Sequence, residues 1–218
     1  MFTRFDRGRI LIMNSYIIVG TDTNVGKTVF SAALVGALGC AYWKPVQAGL
    51  EGETDSQIVA RLSGVSPNLI LPEAYRLQHP VSPHLAAHAD GIEIDVKNLN
   101  PPTEIKNTII ELAGGVMVPW SNKILSIDII ETWKLPVIVV ARTTLGTINH
   151  SLLTLEALRK RNIFIHGVAF VGDESSGAQL AISEFGKTRI LGRLPWLDLL
   201  TREALRVAFS KNFDQRDF

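Results

Sequence analysis

Tyr16-Ile-Ile-Val-Gly20, followed at once by Thr21-Asp-Thr-Asn-Val-Gly26-Lys27-Thr28, is the stretch whose reading decides the fold. The apolar run reads as a buried strand, and Val29-Phe-Ser-Ala-Ala-Leu-Val35 beyond the loop reads as a helix. Strand, loop and helix with Gly-Lys-Thr at the junction form the context of a phosphate-binding loop. The amides of such a loop and the helix N-terminus offer partial positive charge to phosphate oxygens. Lys27 adds a full charge for the β- and γ-phosphates, and the Thr28 hydroxyl suits a Mg2+ ligand. Asn24, Val25, Gly26, Lys27, Thr28 and Val29 are therefore the candidate nucleotide-binding set. The spacing departs from the usual pattern, because Gly20 and Gly26 enclose five residues, which puts Thr21 at the first-glycine position. An incidental Gly-Lys-Thr on a strand–turn–helix is the plain alternative, and the context on both sides disfavours it.

Working outward, strand-like and helix-like segments alternate. Strands are predicted at 15–20, 41–44, 108–112, 136–141, 164–171 and 189–191. Helices are predicted at 27–38, 55–62, 124–133, 148–161, 177–184 and 201–211, and the polar tail after them is expected to fray. The inner runs, such as Val137-Ile-Val-Val140, are continuously apolar, as strands covered on both faces are. The expected fold is α/β: a mostly parallel sheet flanked by helices, of the P-loop NTPase type, with ligands gathered at the strand C-terminal ends.

Composition narrows the class. Hydrophobic residues make up 46% of the 218, charged residues 20%, and the formal net charge is +1. That balance suits a soluble globular domain and gives no global field toward nucleic acid or an anionic membrane. The single cysteine, Cys40, excludes an intrachain disulfide and is read as a buried, inert thiol in a reducing, cytoplasmic setting. No apolar stretch reaches the roughly 18 residues that span a bilayer. Met1 to Ile12 carry three arginines but no apolar core or small-residue cleavage site of a secretory signal. They are read as a disordered extension, with residues 13–218 as a single domain and Met13 as an alternative start.

Several residues carry two readings. Lys44 ends a strand and is by itself most simply a solvated lysine. Asp55 and Asn149 could each cap a helix, and Ser82 could cap one with Pro83 in its first turn. Glu111 ends an apolar strand, where a buried carboxylate needs a positive partner.

Taken in order, Gly20-Thr-Asp-Thr-Asn-Val-Gly-Lys-Thr28, Lys44-Pro-Val-Gln-Ala-Gly49, Ser82-Pro-His84, Glu111-Leu-Ala-Gly-Gly115, Leu145-Gly-Thr-Ile-Asn-His150 and Leu194-Pro-Trp196 resemble the dethiobiotin synthetases. The resemblance spans about residues 16–197. It implies a chain that uses ATP to close a cyclic urea on 7,8-diaminononanoate. CO2 (or bicarbonate) enters as a carbamate, which accepts the γ-phosphoryl group before the second amine displaces phosphate. It further implies Lys27, Lys44 and Thr21 as catalytic groups and Thr28, Asp55 and Glu111 as Mg2+ ligands. Glu111, Val171 and Pro195 are implied nucleotide contacts. The implied substrate contacts are Thr21, Thr23, Lys44, Ala48, Ser82, His84, Gly146, Thr147 and Asn149, the last three acting from the second subunit of a homodimer with sites at its interface.

Three departures carry expectations. Ala48 stands where the family has a hydroxyl, and Leu112 replaces a glycine, adding bulk beside the metal loop. Val171 replaces an adenine-reading asparagine, which predicts relaxed base discrimination. Two alternatives stay open: an amide ligase of the cobyrinate type and a nucleotide-driven switch. The first usually adds a glutaminase cysteine, whereas the only cysteine here is Cys40. Partition and division switches carry a lysine where this chain has Asp22.

Overall fold

The computed structural model describes residues 15–97, 99–102, 104–105 and 107–218. The expected extension over 1–12 lies outside them. In chain order the elements are β1 (Tyr16–Gly20), α1 (Lys27–Leu38), β2 (Ala41–Trp43), β3 (Val46–Ala48) and α2 (Asp55–Ser63). Then come β4 (Ile70–Leu71), β5 (Tyr75–Leu77), α3 (Pro83–Ala89), β6 (Thr108–Gly115), α4 (Ser126–Trp133) and β7 (Val137–Arg142). The chain closes with α5 (Thr147–Lys160), β8 (Ile165–Val171), α6 (Ser176–Phe185), β9 (Ile190–Leu194) and α7 (Arg202–Asn212).

Seven strands form one sheet in the order β4-β2-β6-β1-β7-β8-β9, and every neighbouring pair is parallel. Alternation along β1 shows why both faces are apolar. Tyr16 and Ile18 join the core beneath α1, α2 and α7, while Ile17 and Val19 join the core beneath α3, α4, α5 and α6. Full burial of such side chains is worth about 1.5–3 kcal/mol each. Because all seven strands run the same way, Gly20, Trp43, Gly115, Arg142, Val171 and Leu194 end at one edge, and the loops leaving that edge build the site.

The expected elements are present, with ends displaced by a few residues. β6 runs on to Gly115 and β9 to Leu194. A second, two-stranded parallel sheet of β3 and β5 was not visible in the sequence. The frayed tail is corrected: a 3-10 turn at Gln215–Asp217 ends in Phe218, which is 8% exposed. Its ring lies 5.9 Å from Phe209 and 6.3 Å from Tyr16, centroid to centroid. Phe213 and Phe218 bracket the polar residues and bury what average composition hides. Cys40 is buried as expected, and burial pushes its thiol up to about 12, far from reactive thiolate.

Candidate active site

The phosphate loop begins where β1 ends, and the Thr21 amide bonds the Val140 carbonyl of β7 at 3.0 Å. Gly26 is the N-cap of α1 with φ 94. A Cβ there would come within 2.7 Å of Val171 Cγ1, so both conformation and space require glycine. Lys27 is 7% exposed, and its Nζ donates to the Asp22 carbonyl at 3.0 Å. Burial lowers its ammonium to about 8. The first-turn amides of α1 lack intrahelical acceptors, as in any helix, and open toward the loop.

Across from the loop, Lys44 follows β2 and is 3% exposed, so the solvated reading is corrected. Its Nζ lies 2.6 Å from Asp55 Oδ2 and 3.4 Å from Glu111 Oε1. Burial alone would lower this ammonium, but the Glu111 and Asp55 charges outweigh it and hold Lys44 above the usual lysine range. Asp55 is held low by Lys44 against the opposing effect of its own burial. Asp55 is the first residue of α2 and not its cap. Thr54 caps the helix in a reciprocal capping box with Gln57, which leaves the Asp55 carboxylate free for the site. Glu111 is 1% exposed, and the partner its burial demands is Lys44.

Thr28 Oγ1 sits 2.9 Å from both Asp55 Oδ1 and Glu111 Oε1. A hydroxyl carries one proton and can donate to only one of them at a time. The second close oxygen pair is what a small cation would relieve. Mg2+–oxygen distances of about 2.0–2.1 Å set neighbouring octahedral ligands roughly 2.8–3.0 Å apart, which matches both separations. The donor set of one hydroxyl and two carboxylates therefore fits Mg2+. Among the described residues no group of three or more His, Cys, Asp or Glu is placed to hold a metal.

Of the expected residues, Asn24, Gly26, Lys27, Thr28, Val29, Lys44, Ala48, Asp55, Ser82 and Glu111 line one cavity of about 680 Å3, together with Thr23. A cavity of about 800 Å3 between α1, α2 and α7 contains none of them, so lining chemistry and not volume identifies the site. Thr21 lies at the loop's start outside that lining, and Val25 is buried in the core. His84 lines a neighbouring cavity of about 700 Å3, and its Nδ1 lies 3.0 Å from Ser82 Oγ. Ser82 precedes Pro83 at the start of α3 but makes no side-chain cap bond. Gly146, not Asn149, caps α5, and Thr147 donates its hydroxyl to the Arg142 carbonyl. These three residues stand apart from the cavity. Val171 is 3% exposed beneath Gly26, so its side chain supports the loop and offers no open face to a purine. Pro195 follows β9 and is partly exposed. Leu112 does not crowd the metal loop: it points into the core on the face opposite Glu111.

Sequence reading missed three contributors. Tyr42 donates its hydroxyl to Glu111 Oε2 at 3.1 Å, Gln47 Oε1 accepts the Asp55 amide at 3.1 Å, and Arg142 lies 3.6 Å from the Asp22 carboxylate. The two-residue strand period puts Tyr42 on the same face as Lys44, which was the available signal for it.

Fold, loop and oxygen cluster define a P-loop nucleotide-binding protein. A family model described as an AAA domain matches residues 14–204. ATP-dependent dethiobiotin synthetase BioD of Bradyrhizobium diazoefficiens is 55% identical over 208 residues, covering 94% of this chain and 99% of that protein. The same-named protein of Brucella ovis is 54% identical over 207 residues, covering 94% and 98%. The chain belongs to the ATP-dependent dethiobiotin synthetase family. Among solved structures, a ParA family ATPase from Chlorobium tepidum TLS shares the fold with a TM-score of 0.54 at 12% identity, covering 91% of each chain. The MinC:MinD cell division protein complex of Aquifex aeolicus matches with a TM-score of 0.50 at 15% identity over 91% of this chain and 88% of that one. These two likenesses concern the fold alone.

Proposed function

We propose that this chain, with residues 13–218 acting as one unit, makes dethiobiotin from 7,8-diaminononanoate, CO2 and ATP, using Mg2+. The observation that carries the reading is the convergence of Lys44, Asp55, Glu111 and Thr28 on the cavity beside Lys27. Lys27 and the first-turn amides of α1 would bind the β- and γ-phosphates. Thr28, Asp55 and Glu111 would hold Mg2+, which when bound neutralises phosphate charge.

Lys44 is held protonated at neutral pH, so it serves as a fixed cation and not as a proton acceptor. That cation favours the carbamate anion over the free amine and stabilises charge building on the transferring phosphoryl group. The carbamate oxygen takes the phosphoryl group from ATP, leaving ADP. Attack of the second amine on the carbamate carbon then closes the ring and expels phosphate. Ala48 offers only a methyl group to this region, and the Ser82 and Thr23 hydroxyls in the same cavity lining would be polar contacts for the diamine. The N-terminus of α5 suits the substrate carboxylate of a second copy, which makes a homodimer part of the proposal. Among the described residues no helix is long and apolar enough to cross a membrane, and the cytoplasm is the setting this chemistry implies.

Phosphate release measured with each substrate omitted in turn tests the reading. Release that requires both the diamine and bicarbonate is the expected result. Release that ignores the diamine and responds only to a protein or DNA partner rejects it.

A further inference from the structure

The Glu111 carboxylate is divided between two neighbourhoods. Its Oε1 is shared by Thr28 Oγ1 at 2.9 Å and Lys44 Nζ at 3.4 Å, on the cavity side. Its Oε2 accepts the Tyr42 hydroxyl at 3.1 Å. Tyr42 is wholly buried, its ring packed in the core beneath α1 and α2, and the Glu111 side chain has no solvent exposure. We infer that Tyr42 is a positioning residue that pins Glu111 Oε2 so that the carboxylate offers the cavity one oxygen only.

The inference rests on Glu111 being a Mg2+ ligand, as proposed above. A carboxylate free to rotate can present both oxygens to a cation. Ca2+ accepts that bidentate geometry at 2.3–2.6 Å, roughly, with six to eight ligands, whereas Mg2+ demands a tight octahedron with single-oxygen ligands. A buried phenol holding the outer oxygen therefore selects the smaller ion. Hydrogen-bond partners of metal ligands commonly change metal affinity about 10–100-fold when removed. The phenol acts through Glu111 and is not among the residues that line the cavity.

The test is Tyr42→Phe, which keeps the ring and deletes the donor. Titration calorimetry would measure Mg2+ and Ca2+ binding to the complex with a non-hydrolysable ATP analogue, and analogue binding in EDTA. The expected result is Mg2+ affinity reduced at least about tenfold, Ca2+ affinity reduced less, and metal-free nucleotide affinity unchanged. Equal losses for both cations, or none, in a variant with native circular dichroism would overturn the role. Wild-type protein that binds the analogue but shows no Mg2+ dependence would instead remove the metal reading itself, and the inference with it. A second measurement needs no substitution of Tyr42. The chain has three tyrosines, so 3-fluorotyrosine labelling gives three fluorine resonances. The Tyr42 signal should move on Mg2+ addition in wild type and stay fixed in Glu111→Ala; a signal unmoved in wild type counts against the inference.

Discussion

Lys44→Ala would remove an ammonium that touches both Asp55 and Glu111. A carboxylate buried without its partner is costly, and breaking a buried pair typically destabilises by about 3–5 kcal/mol. Turnover should fall by about 10²–10³-fold or more, as when a single charge-stabilising donor is lost, while nucleotide binding through Lys27 largely persists. Steady-state phosphate release and calorimetric nucleotide titration check the two halves separately. Lys27 makes a prediction in pH. Its folded pKa of about 8 lies below the ordinary lysine value of 10.5, so the unfolded chain holds more protons between those limits. Stability lost to this buried charge is therefore regained as pH rises from about 8 toward 10.5. A bound triphosphate favours the charged form, so nucleotide binding near pH 8.5 should take up a proton and near pH 7 should not. Calorimetry in buffers of different ionisation enthalpy reads this directly, and identical heats at both pH values would contradict it.

At the scale of elements, α2 delivers Asp55 to the site through its capping box. Thr54 Oγ1 accepts the Gln57 amide, and the Gln57 side chain accepts the Thr54 amide at 2.8 Å. Thr54→Ala should lower stability by about 1 kcal/mol, or roughly 2–4 °C in Tm for a chain of this size. It should also raise the Mg2+ concentration needed for half-maximal rate, because Asp55 is the next residue. A thermal melt and a Mg2+ titration check both effects. The legibility of elements followed their length and burial. β1 and β7 were plain because each is an unbroken apolar run buried on both faces. β3, β4 and β5 are only two or three residues long, too short for period or composition to mark them. In the site, Lys27, Thr28 and Glu111 were visible because loop pattern and charge in an apolar strand are local signals. Tyr42 and Gln47 were not, since their roles depend on Glu111 and Asp55, distant from them in the chain or reached only by folding.

For the whole molecule, the single chain leaves the approach to α5 conspicuously apolar: Leu145 is fully exposed, Leu153 is 57% exposed and Ile148 39%. A surface of this kind fits burial in an assembly. Light scattering is expected to give twice the chain mass, and combining Leu145→Asp with Ile148→Asp should shift the protein toward monomer and depress turnover. A fully active monomer would contradict the shared-site arrangement.

The ion pairs around the cavity have one more consequence. Lys27 and Lys44 face Asp55 and Glu111, so the resting centre holds two cations against two anions. At rest, these side chains act as one another's counter-ions. On the proposed reading, an arriving triphosphate would enter an existing lattice of charges and exchange partners within it: Lys27 would leave the Asp22 carbonyl for phosphate, and Lys44 would share its charge between the carboxylates and the incoming anion.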